Sequence, residues 1–343
     1  MTSLRTLDDL ARAGLINGND IAALVPVARS YAIGVTSTLA ALMTPDAAED
    51  PLARQFIPDA REMVHLPQEL HDPIGDAAYS SVKGVVHRHA DRVLLKLLLT
   101  CPVYCRFCFR RESVGQSGGA LNVAELDAAL AYIAGDPAIW EVILTGGDPL
   151  MLSARRLSDV ITRLAAIPHV KIVRLHSRVP VVAPALITPA MIAALQRKGV
   201  TTYVAIHANH PREFGADARR AVAALADAGV PLVSQSVLLR GVNDDVEILA
   251  ELMRTFVEVR IKPYYLHHAD LAPGTGHFRL PVSEGQSLMA ALRRRISGLA
   301  MPVYVLDIPG GYGKVVLTPG AVTESAGGLT VKDPTGRDHC YSS

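Results

Sequence analysis

Long apolar runs are missing from this chain of 343 residues. None approaches the roughly 20 residues that a membrane-spanning helix needs. The most apolar early stretch, 31–43, is broken by Gly34, Thr36, Ser37 and Thr38. The N-terminus carries Arg5, Asp8 and Asp9 and lacks the basic-then-apolar layout of a signal peptide. A surplus of one charge is missing as well. With 34 basic and 33 acidic residues the formal charge is +1, so composition makes no case for nucleic acid or an anionic membrane as partner. Cysteine is scarce. Four occur, three of them between positions 101 and 108, which does not suggest a disulfide scaffold and leads to the expectation of a reducing cytoplasm. There is no internal repeat and no low-complexity segment. What is present, 50% hydrophobic and 20% charged residues, is the composition of a globular protein with room for one large α/β domain or two smaller ones.

From about residue 92 the pattern is regular. Apolar, β-rich runs at 93–100, 141–145, 170–176, 201–207, 231–239 and 259–267 alternate with segments of helical period at 123–134, 154–166, 189–198, 216–228, 244–256 and 284–297. Asn122 and Ser153 stand where N-caps belong, and Gly135, Gly199 and Gly229 where helices should stop. Parallel strands need helical crossovers, so six strand–helix units predict a parallel α/β sheet. Six are too few for a closed eight-fold barrel, and an open, partial (β/α)6 barrel is the better fit. Its working residues should then lie on loops at the C-terminal ends of strands. The expected divisions are a helical cap over 1–90, the barrel over 91–300, and a C-terminal extension over 301–343 with one more strand, a Gly-rich lysine turn and a tail.

Cys101-Pro-Val-Tyr-Cys105-Arg-Phe-Cys108 directly follows the first barrel strand. Three thiolates on one tight loop can converge on an iron–sulfur cluster. On a four-iron cube they leave one iron open to a small molecule. A structural zinc site would want four ligands, and the remaining cysteine, Cys340, lies in the tail. The C-x3-C-x2-C spacing resembles the signature of the radical S-adenosylmethionine superfamily. The longer stretch CPVYCRFCFRRESVG resembles its lysine 2,3-aminomutase family, with similarity running over about 58–318.

That resemblance implies a [4Fe–4S] cluster held by Cys101, Cys105 and Cys108, with S-adenosyl-L-methionine on its open iron. Thr145-Gly-Gly-Asp-Pro-Leu is similar to the superfamily's glycine motif, which implies S-adenosylmethionine contacts for Gly146, Gly147 and Asp148. Asp307-Ile-Pro-Gly-Gly-Tyr-Gly-Lys314 is similar to the family's lysine-bearing turn. It implies that Lys314 is the Schiff-base lysine of pyridoxal 5′-phosphate, although the residues alone also allow a solvated turn lysine. Arg88 and Arg92, which would share a face on a helix, match the phosphate-binding arginines. Gln235 matches a further cofactor contact. Arg110 matches the arginine that meets the substrate carboxylate, and Asp270 and Asp307 match the aspartates that hold the distal ammonium of lysine. Two carboxylates around one ammonium favour lysine over glutamate. Chains this short also resemble the branch that makes (R)-β-lysine for elongation factor P, yet the second aspartate is retained here.

The function implied is an isomerase, an amino acid 2,3-aminomutase interconverting L-lysine and β-lysine. Its small-molecule partner would be an amino acid, and an electron donor such as flavodoxin or ferredoxin would serve the cluster. A homo-oligomer stays open. The longer family members bind structural zinc through extra C-terminal cysteines, which are missing here, so no zinc is expected. Three alternatives stand beside this reading: an aminomutase for glutamate or another amino acid, a radical enzyme without pyridoxal phosphate, and a non-enzymatic iron–sulfur or zinc protein.

Overall fold

A computed structural model describes residues 3–44, 49–115, 119–317, 322–325, 328–332 and 337–341. Nine strands form one sheet, in chain order from edge to edge. They are β1 (Val85–His89), β2 (Arg92–Leu98), β3 (Glu141–Gly146), β4 (Ile172–Ser177), β5 (Thr201–His207), β6 (Leu232–Leu238), β7 (Lys262–His268), β8 (Val303–Ile308) and β9 (Gly313–Val316). Each pair from β2 to β8 is parallel, while β1 and β9 are antiparallel edges. This is the expected partial α/β barrel, with a seventh parallel strand and a hairpin at each end.

The crossover helices lie where the periodicity puts them, at Val123–Gly135, Ala154–Ala165, Pro189–Leu195, Ala216–Asp227, Val246–Glu258 and Val282–Arg293. Asn122 forms a reciprocal capping box with Glu125, and Ser153 caps the next helix. Their apolar faces bury Leu126, Leu130, Ile133, Leu157, Ile161 and Leu164 against the strands in one continuous core. Among the described residues no helix is long and apolar enough to cross a membrane.

Arg88 and Arg92 lie on a hairpin and not on a helix, where they would have shared a face. His89 pairs with Arg92 across the β1–β2 turn, so the two arginines sit on neighbouring strands. β1 thereby extends the sheet into the stretch expected to belong to the cap. The segment His-Arg-His-Ala-Asp-Arg is too polar to show apolar alternation, which is why the strand was not legible.

The curl of the sheet brings its two edges together. A Cβ on Gly311 would lie 2.5 Å from the Tyr79 ring and 3.3 Å from Arg88 Nε. One on Gly313 would lie 3.5 Å from the His89 ring. Residues more than 200 positions apart thus share one wall, and the barrel interior opens between them.

Candidate active site

The cysteine loop leaves the C-terminal end of β2 and is fastened to the cap by charge and backbone. Arg106 N–H donates to the Gln55 carbonyl at 2.8 Å, and Tyr104 N–H to that of Gly34 at 3.1 Å. The Arg106 guanidinium grips Glu62 through Nε and Nη2 at 2.6–3.1 Å. Arg111 joins the same carboxylate, which is fully buried. Two cations on one buried anion hold the loop in a single place.

Cys101, Cys105 and Cys108 are free thiols. Burial first, then the charges of Asp148, Cys108 and Cys105, push Cys101 well up. Burial and Cys105 push Cys108 up to about 11. Cys101 and Cys108 therefore resist ionising unless a cation compensates. Arg178 approaches from β4's loop and donates from Nη1 to Cys105 Sγ at 3.0 Å, while its Nη2 is held by Gln55 at 2.9 Å and Glu213 at 2.7 Å. Among the described residues no three donors close on a single ion. A soft three-sulfur set on one loop suits an iron–sulfur cluster. The side chain of Cys340 lies outside the described residues.

Gly146 and Gly147 end β3 beside that loop. A Cβ on Gly147 would come 2.3 Å from the Thr100 carbonyl oxygen, and Gly146 adopts φ +102°. The protein's own backbone, next to Cys101, already demands both glycines. The Asp148 carboxylate is spent inside the fold. It accepts from Ser177 Oγ at 2.8 Å and from the N–H groups of Leu150, Arg178 and Val179 at 2.7–3.2 Å. Its place is to brace the loop after β4, where a ligand contact had been expected.

At the opposite end, Asp307 and Lys314 are direct cross-strand partners of β8 and β9. Lys314 Nζ donates to Asp307 Oδ1 at 2.7 Å. His267 Nδ1 stands 3.5 Å from the other oxygen. Burial alone would raise Asp307, but His267 and Lys314 outweigh it and hold the carboxyl at about 2. Asp270 has the opposite environment. Burial and the charge of Asp307 push it up to about 7, and the cations Lys314 and Arg110 pull back only in part.

A cavity of about 420 Å³ joins the two ends. All the residues anticipated from the sequence line it: the three loop cysteines, Gly146, Gly147, Asp148, Arg88, Arg92, Arg110, Gln235, Asp270, Asp307 and Lys314. Arg92 Nη1 donates to Asp91 at 2.6 Å, and Arg88 and Arg110 share Asp76.

Sequence reasoning missed His176, His207 and His267, which line the same cavity on β4, β5 and β7. Burial lowers all three, leaving neutral imidazoles. Each has a buried Nε2 without a partner, and an unpaired buried donor or acceptor beside a cavity suits a polar ligand. A signal was available: parallel strands buried on both faces should be apolar throughout, and a polar residue near the C-terminal end breaks that rule.

Comparison with known proteins agrees with this geometry. Residues 96–253 match the model of the radical SAM superfamily. The chain is 40% identical over 319 residues to the L-lysine 2,3-aminomutase of Clostridium subterminale, covering 93% of this chain and 76% of that one. It is 37% identical over 320 residues to the Bacillus subtilis enzyme of that name, covering 93% and 68%, and 38% identical over 270 residues to the Escherichia coli K12 enzyme, covering 78% of each. A cysteine loop opening on a parallel-barrel cavity, with similarity of this extent on both sides of it, has one explanation: the chain belongs to the lysine 2,3-aminomutase family of radical S-adenosylmethionine enzymes.

Proposed function

We propose that this isomerase interconverts L-lysine and β-lysine with the help of pyridoxal phosphate bound through Lys314. The observation that carries the reading is a set of four charged side chains lining the cavity. Asp307 holds the Lys314 ammonium, whose charge also acts on the buried Asp270, and Arg110 lines the same cavity as a cation for a carboxylate. Once Lys314 holds the cofactor, Asp307 loses its ammonium partner, and a second ammonium, from the substrate's distal end, restores the balance. An acidic side chain there would meet two carboxylates and is excluded.

When bound, the cluster with S-adenosylmethionine supplies radical hydrogen abstraction, and pyridoxal phosphate supplies carbonyl condensation with the amino group that moves. The chain does the rest. Cys101, Cys105 and Cys108 would hold the cluster, Arg88, Arg92 and Gln235 the phosphate-bearing cofactor, and Gly146 and Gly147 let the end of β3 pack against the strand that leads into the cysteine loop. The neutral histidines offer hydrogen bonds without adding charge. The electron would come from an external donor of the flavodoxin or ferredoxin class.

Visible spectra of anaerobically purified protein before and after borohydride test the reading. The expected result is an iron–sulfur chromophore together with a second, borohydride-sensitive band whose reduced label maps to Lys314. A cluster without that band would point to a radical enzyme that does not use pyridoxal phosphate.

A further inference from the structure

Asp76 belongs to no motif that carries the family resemblance, and it does not line the cavity. It nevertheless ties together Arg88 and Arg110, which do. Its Oδ1 accepts from Arg88 Nη2 at 3.1 Å, and its Oδ2 from Arg110 Nε at 3.2 Å and Nη2 at 2.7 Å. Lys96 Nζ stands 3.7 Å from Oδ2. The side chains of Asp76, Arg88 and Arg110 are only 10–12% exposed. With Asp72 beside Lys96, two carboxylates face three cations, which leaves the group one charge positive where water is scarce, an imbalance that an anion in the cavity would relieve.

The geometry at Arg110 is directional. Asp76 takes the Nε–Nη2 edge of the guanidinium and leaves Nη1 for another partner. A planar fork held on one edge has its remaining donors aimed in one direction, which a swinging side chain would not. Asp76 is itself held firmly. Its N–H and that of Ala77 both donate to Asp72 at 2.8 Å. Gly75, at φ +69°, lies so close to the lysine turn that a Cβ would come 2.5 Å from the Gly310 carbonyl carbon. The segment from Asp72 to Ala77 therefore abuts the turn of Lys314 while holding both arginines.

We propose that Asp76 is a positioning residue that aims Arg110 at the carboxylate of the amino acid substrate and Arg88 at the phosphate of the cofactor, setting the spacing between the two anions. The proposal rests on the roles given to Arg88 and Arg110 above. It touches neither ligand and acts only through the arginines.

Asp76→Asn, Arg110→Gln and the double variant, prepared anaerobically as holoenzyme, test it. Iron content, pyridoxal phosphate affinity of the stripped protein by absorbance titration, and kcat and KM for L-lysine are measured. Asp76→Asn should keep its iron, raise KM about tenfold, as for a lost hydrogen bond between charged groups, weaken pyridoxal phosphate about threefold, and change kcat less than KM. The double variant should be no worse in KM than Arg110→Gln, because Asp76 acts through Arg110. Unchanged KM in Asp76→Asn, or full additivity in the double variant, overturns the proposal. Unchanged KM in Arg110→Gln alone would instead overturn the carboxylate role of Arg110. Should Asp76→Asn lose its iron, Asp76→Glu carries the test, with raised KM in support and wild-type KM against.

Discussion

At the cysteine end of the cavity the protein satisfies its own polar groups. Asp148 accepts four hydrogen bonds from its neighbours, Glu62 is closed by two arginines, and Gly147 packs on the Thr100 backbone. At the lysine end the charges are shared among few partners. Asp307 holds Lys314, Asp76 serves three cations, and Asp270 is left with a carboxyl near 7. The first end is assembled in advance around thiols that need a metal. The second is balanced so that arriving charges can replace internal ones. Damage should therefore show as failed assembly at one end and as altered binding and pH response at the other.

The largest effect is expected at the cysteines. Cys101→Ala, Cys105→Ala and Cys108→Ala should each abolish the brown chromophore and S-adenosylmethionine cleavage, while Cys340→Ala leaves both intact. Iron analysis and spectra decide the matter, and a requirement for Cys340 would remove the open-iron site. Lys314→Ala should also end turnover but keep iron near the wild-type level, since the two ends hang on different strands. Loss of iron with Lys314 would break the comparison between the ends.

Asp307→Asn should come next, costing roughly 2–5 kcal/mol in kcat/KM for lysine, the usual penalty for removing one partner of a buried charge pair. Iron content and the Lys314 label should survive in it. Asp270→Asn should cost lysine turnover on the same scale.

The smallest effect concerns pH. Between pH 6 and 8 the distal ammonium of lysine stays charged while Asp270 ionises, so KM for lysine should fall by up to about tenfold as pH rises. The same group affects stability with the opposite sign. Folding raises its pKa from 3.8 to about 7, so the folded state binds more protons between about pH 4 and 7, and ligand-free stability should drop as pH climbs through that range. Melting curves and KM profiles of Asp270→Asn should both be flatter than wild type. A wild-type KM profile in that variant would rule out Asp270 as the responsible group.

Much of this was legible in the sequence because the relevant signals are local. The parallel strands read as apolar runs, since both their faces are buried. The cysteines share one loop, and Asp307 and Lys314 flank one turn. What escaped detection is long-range. Arg178 reaches Cys105, Gln55 and Glu213 from positions far apart in the chain. Asp76 sits in an irregular connector without periodicity, and β1 is a polar strand recognisable only by its pairing with β2. The four neighbouring donors on the Asp148 carboxylate come from separate segments and were equally invisible in the sequence.

The most direct test is product analysis after anaerobic incubation of the reduced, fully loaded protein with L-lysine or L-glutamate. The account predicts β-lysine from lysine and no β-glutamate from glutamate. Equal conversion of both amino acids, or S-adenosylmethionine cleavage with lysine present and no β-lysine formed, would contradict it.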